Sequence, residues 1–132
     1  MLHMKCHCTR IRNKQYLVFE NTYGCGDLIS ESELEQILTD YESKVDLLFL
    51  AANDSEAIGK VFQNCGVQYT VCVEEECSVD DEVLISFAQN FYKEVFAGVK
   101  LYESFVRAKA ATTSFFSKNK QRLQQVKKIK LL

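Results

Sequence analysis

Apolar and polar positions alternate with period two in several short stretches and with a period near 3.6 in longer ones, dividing the chain into strands and helices. Residues 2–8 alternate and read as a strand with Leu2, Met4 and Cys6 on one face. The polar run 9–14 reads as a loop, and residues 16–20 as a second strand. Residues 21–27 follow, with Gly24 and Gly26 supplying turn geometry, so a hairpin-like unit with a long connection is expected. Ser30 and Glu33 have the spacing of a capping box, with Ile29 and Leu34 at the staple positions. Leu34, Ile37, Leu38 and Tyr41 form the inward stripe of that helix.

Residues 45–52 are almost wholly apolar and read as a buried strand feeding a polar turn. Asn53 or Asp54 is placed to cap the next helix, which turns Ile58, Val61 and Phe62 inward and stops at Cys65 and Gly66. Residues 67–73 form another strand, rich in β-formers, and Glu74, Glu75 and Glu76 after it belong in solvent. Ser78 and Asp81 open a long helix to about residue 97, with Leu84, Phe87, Ala88, Phe91 and Val95 inward and Gly98 as its stop. A further helix over 101–113 turns Leu101, Phe105, Val106 and Ala108 inward. Residues 115–132 continue as a basic helix carrying Phe116, Leu123, Val126 and Ile129. Four strands and four helices result, with 115–132 taken as a continuation of the helix over 101–113, and their alternation from 45 to 98 predicts a parallel β-α-β unit.

Length adds that 132 residues suit one domain with a real core. A doubly wound sheet usually has five or more strands, and the chain opens inside a strand pattern, so an incomplete domain is expected. The apolar share of 47% and the regular alternation of apolar and turn segments argue against disorder. No apolar run approaches the roughly 18 residues of a membrane span. The amino-terminal residues lack a secretory signal, so the expected setting is cytoplasmic. The six cysteines are then read as free thiols. Charge changes the picture further. Residues 1–103 carry a net −10 and residues 104–132 a net +8. An acidic body argues against nucleic acid as the partner. The basic end either touches an acidic or anionic surface or folds back onto the acidic body.

Chemistry collects beyond the carboxyl ends of strands in α/β sheets, which directs attention to Asn53. If strands 2–8 and 45–52 are neighbours in one parallel sheet, His7 emerges at the same edge. His3 and His7 share a face, but adjacent strand residues point oppositely, so Cys6 and Cys8 cannot easily join His7 on a metal. Structural histidine and general base remain for His7, and no metal or cofactor is expected. Cys25 and Cys77 are poor replacement nucleophiles; carboxylates beside Cys77 raise a thiol pKa.

Four segments carry a family resemblance. Residues 2–8 (Leu-His-Met-Lys-Cys-His-Cys) resemble the Leu-His-x-x-x-His-Gly segment of the CHAT family, caspase-like cysteine peptidases related to separase. Residues 48–55 are similar to that family's Leu-x-x-x-Ala-Cys-x-Ser nucleophile segment, and residues 66–71 to its Ala-Gly-Val strand. Phe87 to Gly98 resembles its Phe-x-x-x-Phe-Tyr-x-x-Leu-x-x-Gly helix. The resemblance implies a three-layer caspase-like α/β sheet with flanking helices. It implies a CHAT-like domain over residues 1–113, the carboxyl-terminal portion of that family's domain, before a basic helix at 114–132. His7 takes the general-base position, while the family's cysteine falls on Asn53 and its glycine after the histidine falls on Cys8. A carboxamide is no nucleophile. The resemblance thus implies a peptidase scaffold without its reactive centre, serving as a protein-interaction module. Two alternatives stand beside it. One is an active cysteine peptidase acting on polypeptide through another thiol. The other is a plain α/β interaction domain.

Overall fold

The computed structural model describes residues 1–40 and 45–132 of the chain. Among these residues seven strands and five helices follow one another as a mixed α/β fold. The chain forms two compact units, Met1–Cys77 together with Leu132, and Ser78–Leu131.

In the first unit the expected parallel arrangement is present. β1 (Leu2–Lys5) pairs in parallel with β5 (Leu47–Ala51), from Leu2 opposite Leu48 to Lys5 opposite Ala51. β5 pairs in parallel with β6 (Tyr69–Val73), and α2 (Glu56–Asn64) makes the crossover between them. β5 is buried on both faces, as its unbroken apolar run requires. Leu48, Leu50 and Ala52 share a core with Ile58, Val61 and Phe62 of α2, and with Leu17, Leu34 and Val67. Gly66, at φ +101°, takes the left-handed conformation that ends α2. Leu132 exchanges two backbone hydrogen bonds with Thr70, at 2.8 and 3.2 Å.

The segment before β5 departs from expectation. The strand expected over 2–8 breaks at Cys6, and His7 begins β2 (His7–Ile11), which belongs to a separate antiparallel sheet ordered β2-β3-β4. The expected loop at 9–14 is a tight hairpin into β3 (Lys14–Glu20), with Ile11 opposite Lys14. Arg12 and Asn13 both have positive φ, 49° and 62°, the twist that two-residue hairpins demand. This hairpin lacks the usual Asn-Gly pair, so its polar residues resemble a loop. β4 (Gly26–Ser30) completes the sheet where only a turn was expected.

α1 (Glu31–Asp40) begins with the expected capping box: the Ser30 amide donates to Glu33 Oε2 at 2.8 Å, and the Glu33 amide donates to Ser30 Oγ at 3.3 Å. Its inward stripe is narrower than expected. Leu34 is buried and Leu38 half-buried, whereas Ile37 is 45% exposed. Tyr41 lies outside the described residues.

In the second unit α3 (Asp81–Phe96) starts at Asp81 after Asp80, later than the expected Ser78 start. It meets α4 (Leu101–Phe115) through aromatic packing, with Phe87 stacked on Phe91 at 5.8 Å and edge-on to Phe105 at 5.4 Å. Val106, expected inward, is 47% exposed. The basic end is not one helix. α5 (Lys120–Lys127) is capped by Asn119, whose side chain accepts the Arg122 amide, and β7 (Ile129–Leu131) follows. Part of the positive charge turns back within this unit, since Arg122 pairs with Asp80 at 3.6 Å and Glu82 at 2.5 Å. No helix among the described residues is long and apolar enough to cross a membrane.

Removing side-chain volume should distinguish these positions. Leu48→Ala leaves a cavity in the closed core and should cost about 3 kcal/mol, whereas Ile37→Ala should stay within about 0.5 kcal/mol of the parent. Chemical denaturation of both variants measures the difference.

Candidate functional site

The turn that leaves β5 is built from three consecutive polar residues with different tasks. Asn53 is exposed at its tip. Asp54 holds a positive φ of 49°, a conformation that Asp tolerates better than most residues. Ser55 is fully buried, and its hydroxyl accepts the Val73 amide at 3.0 Å while its own amide donates to the Val73 carbonyl at 3.1 Å. These bonds fasten the start of α2 to the carboxyl end of β6. Neither Asn53 nor Asp54 caps α2 as expected; Ser55 occupies the cap position and spends its hydroxyl on the strand.

Asp54 is instead committed to the antiparallel sheet. Arg10 of β2 donates to both carboxylate oxygens, Nε at 3.0 Å and Nη2 at 2.8 Å. The Glu76 amide adds a third bond at 2.7 Å, and the Asp54 amide donates to the Cys77 carbonyl at 3.0 Å. Burial alone raises the Asp54 carboxyl, but Arg10, the Glu76 amide and the nearby Gln15 together hold it below its ordinary range. Gln15 is 1% exposed, and neither polar atom of its side-chain amide has a hydrogen-bond partner of ordinary geometry among the described residues. Arg10 is in turn held charged, first by its bond to Asp54 and then by Asp54, Glu75 and Glu76 as charges.

His7 and Asn53 both follow the last registered pair of the β1–β5 ladder, Lys5 opposite Ala51, by two residues. His7 is exposed at the first position of β2, opposite Val18 of β3, so it sits on the antiparallel sheet and not on an extension of β1. Cys6, Cys8 and Arg10 occupy the alternate face from His7. His3 lies elsewhere along β1, stacked on Phe49 of the neighbouring strand with centroids 4.9 Å apart and planes within 6°, and burial lowers its pKa. No group of three or more metal-ligating side chains comes together among the described residues. The six thiols are free.

Arg10, Ser55 and Gln15 did not stand out in the sequence, and Asp54 did so only as a candidate cap of α2. Their signal was present in part: the alternation of Met4, Cys6 and Cys8 continues to Arg10, so one face of a strand extends through the run that reads as a loop. Compared with known protein families, curated proteins and solved structures, the chain gives no match.

The depressed Asp54 carboxyl implies a pH dependence of defined sign. Its folded value lies below the unfolded one near 3.9, so its contribution is complete above about pH 5 and disappears as pH falls below about 4. Asp54→Asn should therefore unfold more easily than the parent at pH 7, with the gap narrowing as the pH drops through that window. Urea titrations across pH 3–7 follow it; a gap that stays constant removes the ion pair as its cause.

Proposed function

We propose that the chain is a CHAT-like, caspase-like peptidase-fold domain without peptidase activity, serving as a protein-interaction module. The observation that supports this reading is the parallel β1–β5 pair, beyond whose last registered rung His7 and Asn53 each follow two residues later. A peptidase of this kind needs an imidazole and a thiolate at such an edge. Asn53 supplies a carboxamide, which accepts and donates hydrogen bonds but cannot attack a carbonyl. The parallel β5–α2–β6 crossover and the order of the four resembling segments agree with the scaffold. Its partners are other proteins, with no nucleic acid, in a cytoplasmic setting where thiols stay reduced. The positive charge of the last 29 residues that Asp80 and Glu82 do not offset suits an acidic or anionic surface.

One observation favours a second reading, an active cysteine peptidase. The hydrogen bond from the Asp54 amide to the Cys77 carbonyl brings a thiol-bearing residue to the turn that carries Asn53. An electrophilic thiol probe separates the two readings. The parent protein should resist labelling at Cys77, and Asn53→Cys should create a thiol whose labelling at neutral pH falls roughly a hundredfold when His7→Ala is added. Rapid His7-dependent labelling of Cys77 in the parent would establish the active enzyme. An introduced thiol indifferent to His7 would leave only a plain α/β interaction domain.

A further inference from the structure

Glu33, Gln36, Ile37 and Asp40 form one stripe of α1, and with Ile29 of β4 they line a groove of about 370 Å³. No residue of β3 lines it, so the groove lies on the outer side of β4. β4 is the last strand of its sheet, and every second residue of such a strand turns its amide and carbonyl to the open edge. Ile37 is 45% exposed on this stripe although its spacing suits burial. Asp40 lies in the last turn of α1, where a carboxylate opposes the helix dipole, and that turn carries no basic residue to offset it. Glu33 receives the Ser30 amide and hydroxyl on Oε2, at 2.8 and 2.6 Å, which leaves Oε1 to the groove. Among the described residues no basic side chain lines it. We propose that β4 and α1 bind an extended, basic segment of a partner protein, which adds as a strand beside β4 and sets an aliphatic side chain against Ile29 and Ile37.

The spacing of the stripe defines the segment further. Seven residues of helix separate Glu33 from Asp40 by about 10 Å along α1. In an extended chain, side chains four positions apart share a face and stand about 13 Å apart. The long side chains of lysine or arginine close that difference. The fitting pattern is therefore a cation, any residue, an aliphatic residue, any residue and a second cation. The middle side chain meets Ile37, and the cations meet the two carboxylates. Backbone bonds along β4 hold any extended segment, while the three side chains select among them. A segment with acidic residues at those positions is repelled. This inference rests on the reading of the chain as a protein-interaction module and names its partner class. It uses neither His7 nor Asn53, so its failure leaves the thiol-labelling outcomes as they stand.

The test uses the full chain and a fluorescein-labelled peptide, Gly-Lys-Thr-Ile-Thr-Lys-Gly, followed by anisotropy at about 0.1 M salt, where charges act over about 10 Å. Saturable binding is expected, and none for the peptide with glutamate in place of both lysines. Ile37→Ala, which barely touches the core, should weaken binding roughly tenfold. Asp40→Lys suits the helix dipole and should leave the fold at least as stable, yet weaken binding by at least about tenfold. Methylating the backbone amides of the peptide separates strand addition from a plain charge contact. Methyl groups on one alternate set, either the two threonines or the lysines and isoleucine, should abolish binding, and those on the other set should leave it. Binding unchanged by both methylated sets would overturn strand addition. Absence of saturable binding, or equal affinity for Ile37→Ala, Asp40→Lys and the parent, would overturn the groove as the site.

Discussion

The bidentate bond between Arg10 and Asp54 joins parts of the first unit that the backbone ladders leave separate. β2, β3 and β4 share no ladder with β1, β5 and β6, and apolar packing between them has no direction of its own. A guanidinium–carboxylate fork has direction as well as charge, so it specifies how β2 meets the turn after β5. It also explains a backbone oddity. Asp54 sits at positive φ because that conformation aims its carboxylate at Arg10 and the Glu76 amide while its own amide reaches the Cys77 carbonyl. The ion pair is only partly exposed, so losing one partner leaves a charge that water does not fully restore.

What could be read in advance followed from how far each residue's behaviour depends on near neighbours. The buried β5, the capping box at Ser30, the inward face of α2 and the stop at Gly66 are local or nearly so, and each was legible. The hairpin at Arg12 and Asn13 was not, because an arginine in a left-handed turn carries no composition signal. Ile37 and Val106 had the right spacing for burial, but periodicity says which side a residue faces and not how far the neighbouring element extends over it. The basic end misled in another way. A run of lysines with spaced apolar residues suits a continuous helix, and only the cap at Asn119 and the strand at Ile129 show where it divides.

The candidate site was legible in one half. Asn53 at the strand end could be found because an apolar run ending in polar residues marks a sheet edge. Arg10 could not, because its partner lies 44 positions away, and Gln15 could not, because a glutamine between Lys14 and Tyr16 gives no hint of near-complete burial. The polar pair Asn53 and Asp54 therefore divides its labour. One presents a side chain outward at the edge of the sheet, and the other fixes the turn that presents it.

The change of sheets at Cys6 bears on which length changes this chain tolerates. Along a strand, a shift of one residue reverses the side to which every later side chain points. Adding or removing a residue between Lys5 and Arg10 would turn Arg10 outward and present Thr9 or Ile11 to Asp54, leaving the carboxylate facing a methyl group. The segment 21–25 has no such phase to keep, because Asn21 closes it through local bonds to the amides of Tyr23 and Cys25. Natural variation in length belongs in that second loop, and strict spacing in the five residues that follow Lys5.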